Sequence, residues 1–378
     1  MKKRTKILTA AIVCFVSAGL SFGGAAACGF FEREKWAEAN AAIAKKTGYY
    51  ETPQKGEYAA DGAVTALDID AGSADLVVRA GDADAVRVEY YDRFPGEYEI
   101  ALEDGRLTVK QTRKWSFWEG FGLSWVLNLF DGDWSDHAVT VTVPADAAVL
   151  ETLTLETDSG FVECAGLSAT GALAVKADSG RIAITGGGFG GADIRASSGA
   201  VTVSDCGFDS ADIRASNGRV AVNGANVSGL LKIRADSGGA TVENASADTL
   251  DIDVSNGNIA LNAVKARAIQ SKADSGRTEW NAVECDTFTG RSSSGRVKLT
   301  DCAIQTIDYI SSNGDFTVTN LAGASAATAA LDIRASSGKI TVFGDGKSGK
   351  AFNNNLQGQA AISIKVKLSS GSFTIEGA

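Results

Sequence analysis

Eleven times the chain writes the same short phrase: Asp-Ser, Ser-Ser or Ser-Asn, followed by glycine. The first nine glycines run from Gly160 through Gly180, Gly199, Gly218, Gly238, Gly257, Gly276 and Gly295 to Gly314, always 19 or 20 residues apart. Gly338 and Gly371 carry the same signature after insertions of 5 and 14 residues. A fixed period of this size indicates a stacked array. Around each glycine the pattern alternates. Val175, Ile194, Ile213, Ile233, Ile252 and Ile333 lie five residues before it, and pairs such as Val201 with Val203 or Ile259 with Leu261 lie two and four after it. Period 2 is the signature of half-buried strands. Glycine supplies backbone angles closed to β-branched residues, and Ser, Asp and Asn bond their own turn backbone, so each phrase predicts a sharp corner.

One such unit cannot bury its apolar face alone, but stacked copies can, each strand pairing with its equivalent one coil later at about 4.8 Å. Eleven corners then predict a stack of about 50 Å. The three prolines, Pro53, Pro95 and Pro144, all precede the array, where proline would delete a ladder donor. The reading is an all-β fold: a single-stranded parallel β-helix, or β-solenoid, of ~19-residue coils. Trp280 falls in a column of Val and Leu, with the small residues Ser271, Thr278 and Gly290 in neighbouring inward positions. Volume compensation in a close-packed interior is the expectation for it.

The array cannot begin bare, because a first edge strand needs protection. Strands are predicted over Ala66 to Asp70, Asp75 to Arg79, Val86 to Tyr91, Tyr98 to Ala101 and Leu107 to Gln111, with a hairpin at Glu103-Asp104-Gly105. They suggest an antiparallel N-terminal cap over 63–150, before repeats over 151–378. Inside it, WSFWEGFGLSWVLNLFDGDW holds four of the six tryptophans. Trp115, Phe117, Trp118, Phe121 and Trp125 either plug the open end of the stack or form an exposed interfacial patch.

Ahead of this, residues 1–31 place Lys2, Lys3, Arg4 and Lys6 before an uncharged stretch from Ile7 to Phe31. Its 25 residues suffice for a membrane helix with the basic end in the cytosol. Ala25-x-Ala27 also fits a signal-peptidase site, and Ala25-Ala26-Ala27-Cys28 resembles a lipobox, which would make Cys28 a lipidation site. Anchor, lipoprotein and secreted protein all put the repeats outside the cytoplasmic membrane. Phe31 to Lys46 is predicted helical, acids first and lysines last, and 49–62 reads as a linker, so 32–62 forms a juxtamembrane helix and linker.

The formal charge of -10 argues against nucleic acid as a partner, since phosphate binding needs a basic face. Cys164, Cys206, Cys285 and Cys302 show no C-x-x-C spacing and read as buried small hydrophobes. Cys285 and Cys302, in adjacent coils, could be bridged only with distortion. His137 is the sole histidine, which disfavours a metal or His-paired nucleophile. Gly186 to Gly191 satisfies G-x-G-x-x-G, and Gly344 to Ala351 nearly matches a P-loop, but neither precedes a predicted helix. No cofactor, metal or catalytic residue is expected.

The outward columns are regular. Four residues before the glycines lie Lys176, Arg195, Arg214, Arg234, Asp253, Lys272, Arg291 and Arg334. Two residues earlier lie Asp193, Asp212, Lys232, Asp251, Asp308 and Asp332. This is either a solvated salt-bridge ladder or a basic stripe for an anionic wall polymer, densest at Lys176, Arg195, Arg214 and Arg234.

IDAGSADLVV, the VTVP before the array, the DSG, SSG and SNG corners and the closing SSGSFTIEGA together resemble the bacterial putative-adhesin family, from about Ala63 to the C-terminus. The resemblance implies a β-solenoid surface or envelope protein, in some members associated with envelope-stress signalling. It leads to a membrane-tethered, extracytoplasmic, non-catalytic binding protein whose partners are the cytoplasmic membrane and a wall polymer, lipid or membrane protein. The alternatives are a carbohydrate-active enzyme on a β-helix and a passive spacer or regulator.

Overall fold

The computed structural model describes residues 53–112, 138–147, 149–347, 350–354, 356 and 360–376. Residues 1–31 with Cys28, the helix predicted over 31–46, the aromatic segment 115–134 and His137 lie outside the described residues. Among the described residues no helix is long and apolar enough to cross a membrane. The chain divides into two compact units. One comprises 1–56, 91–97 and 113–134, the other 57–90, 98–112 and 135–378. In the first, the buried carboxylate of Glu97 accepts bonds from the Arg93 backbone N–H at 2.7 Å and from its Nε at 2.9 Å.

The second unit is the predicted parallel β-solenoid. Ile182–Ala196 pairs in parallel with Val201–Ala215, with Ile194 beside Ile213 and Arg195 beside Arg214. The same register passes from coil to coil as far as Phe316–Thr319. The alternating residues therefore sort into columns. Ile194, Ile213, Ile233 and Ile252 form one column of the interior and are wholly buried.

The corner glycines do something the turn argument does not cover. From Gly180 to Gly257 their φ lies outside the left-handed region, so angle freedom is not the requirement. Space is: a Cβ on Gly218 would stand 1.9 Å from the carbonyl oxygen of Gly199, and one on Gly199 would meet Gly180 O at 1.9 Å. Six residues further on, the coil turns again through a left-handed residue. This second column runs Gly166, Gly186, Asp205, Gly224, Asn244, Ala263, Ala282, Asp301 and Asn320, with φ between 50° and 68°. Asp, Asn and Gly tolerate that conformation, but alanine does so at a cost. The side chains tie successive coils: Asn244 Nδ2 donates to Asn223 Oδ1 at 3.1 Å, and Asn320 Nδ2 to Asp301 Oδ1 at 2.9 Å. A third bend absorbs the extra residue of the longer coils, where the register slips between Phe208 and Ala211 and again between Val227 and Leu230.

The N-terminal section is not the antiparallel cap expected. Ala66–Asp70 lies in parallel between Arg106–Gln111 and Thr152–Thr157, and Leu76–Gly81 between Val139–Pro144 and Val162–Ala165. The inward residues Leu67, Ile69, Leu76 and Val78 carry the same period as the later coils, so these strands stack as a coil. Antiparallel strands cover the outer edge, where Tyr98–Glu103 pairs with Arg106–Gln111 and Arg87–Glu89 with Thr140–Thr142. The hairpin turns at Asp104 and Gly105, with φ of 48° and 76°, the left-handed pair of a type I′ turn. Gln54–Ala59, within the expected linker, is a strand.

The C-terminal end repeats the arrangement. Ile362–Ser370 inserts between Ala303–Asn313 and Ala329–Ala335, parallel to both, and Phe373–Glu376 inserts between Phe316–Thr319 and Ile340–Val342. Gly371 thus follows Gly314 in space, and Gly338 comes last. The outer edge is covered by two antiparallel strands, Asp345–Lys347 on Ile340–Val342 and Ala351–Asn353 against Asp332–Arg334. The described part of the near-match to a P-loop holds the strand Asp345–Lys347 and the first residue of Ala351–Asn353, and the G-x-G-x-x-G run lies within Ile182–Ala196.

Trp280 is buried and packs against Phe288 with ring centroids 4.2 Å apart. Room comes from Gly290, whose added Cβ would stand 2.6 Å from the Tyr309 ring and 2.7 Å from that of Phe288. The Trp280 Nε1 has no hydrogen-bond partner among the described residues, so packing alone holds the ring.

Candidate functional site

The site begins with one column of the outward face. Strand register places Lys110, Asp70, Glu156, Lys176, Arg195, Arg214, Arg234, Asp253, Lys272, Arg291, Ile310, Lys367 and Arg334 side by side in that order. The β pleat points every one of them outward, because each is flanked by inward residues. The four residues predicted as a basic stripe, Lys176, Arg195, Arg214 and Arg234, are adjacent in it.

Three of the four are occupied. Lys176 Nζ reaches Glu156 Oε1 at 2.5 Å, and this hydrogen bond holds its pKa above the usual lysine value. Arg195 makes a two-pronged pair with Asp193, Nε to Oδ1 at 2.8 Å and Nη2 to Oδ2 at 2.5 Å. Arg214 does the same with Asp212, at 2.9 and 2.5 Å. The Arg214 bond is the first cause of an Asp212 pKa below the usual carboxylate range, with Lys232 and Arg234 adding to it. These pairs are solvated, so each contributes at most about 1 kcal/mol to stability. They also neutralise the stripe. Arg234 has no carboxylate oxygen within 4.0 Å among the described residues, but the next coil sets Asp253 beside it and Asp251 beside Lys232.

Further along, the column changes character. From Lys272 to Arg334 it reads Lys, Arg, Ile, Lys, Arg, with no acid in five successive rows. Lys272 is paired to Asp253 at 3.1 Å and Arg334 to Asp332 at 3.3 Å. Arg291 and Lys367 have no carboxylate within 4.0 Å among the described residues, nor has Lys365 in the adjoining column. Sequence reasoning found Arg291 and Arg334 but not Lys365 or Lys367. Counting four residues back from Gly371 reaches Lys367, so a signal was present, but its neighbours in space were not readable.

The described thiols offer no reactive group. Cys164, Cys206, Cys285 and Cys302 are free and buried. Desolvation pushes Cys164 and Cys285 up to about 12 and Cys206 to about 11, so they stay protonated near neutrality. Among the described residues no group of three metal-ligating side chains occurs. The aromatic patch at Trp115, Phe117, Trp118, Phe121 and Trp125 lies outside the described residues.

No curated protein matches the chain. Similar solved structures include a "putative adhesin" of Parabacteroides distasonis, 12% identical, covering 86% of this chain and 97% of its own, with a TM-score of 0.35. Another "putative adhesin", from Parabacteroides merdae, is 10% identical, covering 87% and 98% with a TM-score of 0.36. A "putative lipid binding protein" of Parabacteroides distasonis is 10% identical, covering 87% and 98% with a TM-score of 0.33. The family model described as Toastrack DUF4097 matches residues 64–248 and again 241–377, which together take in nearly all of the solenoid. With its coils and both covered ends inside those two matches, the chain belongs to the Toastrack DUF4097 family.

Proposed function

We propose that this protein is a non-catalytic, adhesin-like binding module of the cell envelope, displayed outside the cytoplasmic membrane by its N-terminal segment. The observation that carries the reading is the disposition of charge on the outward face. Hydrolysis of a polymer needs carboxylates that converge on one bond with separated pKa values. Here Asp193, Asp212 and Asp253 recur at lattice positions, each bonded to a cation of its own or the next coil. Such a surface presents a repeating pattern to a partner, with these three carboxylates tied to cations instead of free for acid–base work. The tether rests on the basic start at Lys2 to Lys6 and the uncharged Ile7 to Phe31.

Fractionation of cells expressing the full chain tests this directly. The protein is expected in the membrane fraction, cleaved by protease added to intact protoplasts, and pelleted with isolated wall material or envelope membranes. Recovery in the cytosol, protected from external protease, would overturn it.

A further inference from the structure

The acid-free rows of the outward column form a surface that nothing above assigns. Arg291 and Lys367 flank Ile310, one coil away on either side. The two cations are therefore about 9.6 Å apart along the stack. Lys365 stands two residues from Lys367 on the same face, beside Asp308 and Asp332 in its own column. Ile310 is 44% exposed, one of three large hydrophobics so exposed among the described residues. Beside it lies a shallow pocket of about 460 Å³ lined by Lys272, Asp274, Arg291, Ser292, Ser293 and Ile310. The run from Lys176 to Arg234 has a column acid at each end, Glu156 and Asp253. Here Asp253 pairs with Lys272 at one end, and the insertion of the C-terminal coil sets Lys367 against Arg334, so no column acid closes the other.

We infer that Arg291, Lys365 and Lys367 bind a linear phosphodiester polymer with an uncharged polyol spacer, laid along the stack so that the spacer crosses Ile310. The inference rests on the binding reading above and names the ligand class for it. The charge is complementary, and guanidinium and ammonium groups two coils apart suit anions repeating along a chain rather than a single ion. A bilayer is the poorer fit, since one exposed isoleucine on a flat sheet gives no apolar face to bury. Nucleic acid fits less well too, because single strands need aromatic stacking platforms, and the exposed large hydrophobics among the described residues, Val149, Leu230 and Ile310, are aliphatic.

Binding of the full-length protein to a synthetic poly(glycerol phosphate), followed across a salt series, tests the inference. Comparison arms are phosphatidylglycerol vesicles, inorganic phosphate and single-stranded oligonucleotide. Affinity should fall steeply with salt, and R291Q/K365Q/K367Q should lower it by about tenfold or more and flatten the salt dependence. The matched control R267Q/R277Q, which removes two exposed, paired arginines outside that column, should change it less than about twofold. All five positions are solvent-facing, and circular dichroism verifies that the variants fold. Equal losses in the two variants, no binding of the polymer, or equal or tighter binding of vesicles, phosphate or oligonucleotide would overturn the inference. Failure here with the protein still found outside the membrane would leave the binding reading standing. A cytosolic protein that binds the polymer would overturn that reading instead.

Discussion

At Gly218 the tightest approach in the coil is backbone to backbone, with room for a hydrogen but not a methyl group. Gly218→Ala should destabilise the solenoid by about 2–4 kcal/mol, since the facing atom is a carbonyl locked in the ladder. The midpoint of urea unfolding checks this. The second corner predicts the opposite sign. Ala263 and Ala282 hold φ of 52° and 51°, where the methyl group opposes the following carbonyl. Ala282→Gly should stabilise by about 0.5–1 kcal/mol, the steric relief exceeding the added chain entropy, and the same urea midpoint should rise. The first corner was legible as a glycine column, although its cause is proximity rather than angle. The second was not, because Gly, Asp, Asn and Ala share no letter, only a backbone conformation.

Each strand pair carries the electrostatics of the face. Asp212 has a folded pKa below its unfolded value through the Arg214 bond. Its contribution is thus present above the unfolded carboxylate pKa, near 3.9, and is lost as pH falls through the lower folded one. The pair is partly exposed, so that contribution is about 0.2–1 kcal/mol. Asp212→Asn should cost this much at pH 7, and the cost should shrink as pH falls below the unfolded value, read from urea unfolding across that range. The outward columns of the regular coils were readable from spacing, but the places of Lys365 and Lys367 in the inserted coil were not. Pairing in the regular coils was legible only as one of two alternatives: spacing allows Lys176, Arg195 and Arg214 to form a basic stripe or a salt-bridge ladder, and the rotamers turn each cation onto a carboxylate.

In the solenoid unit as a whole, both ends place a coil out of chain order. The coil Ala66–Gly81 and the coil Ile362–Glu376 are each gripped by a parallel neighbour on both sides. Removing residues 361–378 takes away the only ladder among the described residues that holds Ala329–Val342 to the stack. Amides of Ala329–Val342 should then exchange as fast as an unfolded chain, and protection at Ala303–Thr319 should fall. Retained protection at Ala329–Val342 would mean that it had restacked on Ala303–Thr319 and that the inserted order is not required.

The sequence alone determined the coil: its length, its inward and outward columns, its corner glycines and the parallel stacking they require. Period-2 alternation and a fixed repeat are local facts, and any chain carrying them must bury the same residues. The order of the end coils was decided only by the tertiary structure. ALDIRASSGKITV could stack on the preceding coil as well as Ile362–Glu376 does, since both present the same inward column and the same corner. What separates them is which outer edge can be covered by the antiparallel strands at Asp345–Lys347 and Ala351–Asn353, and that choice exists only once the whole end is assembled. It also places Lys367 between Ile310 and Arg334, which no reading in chain order provides.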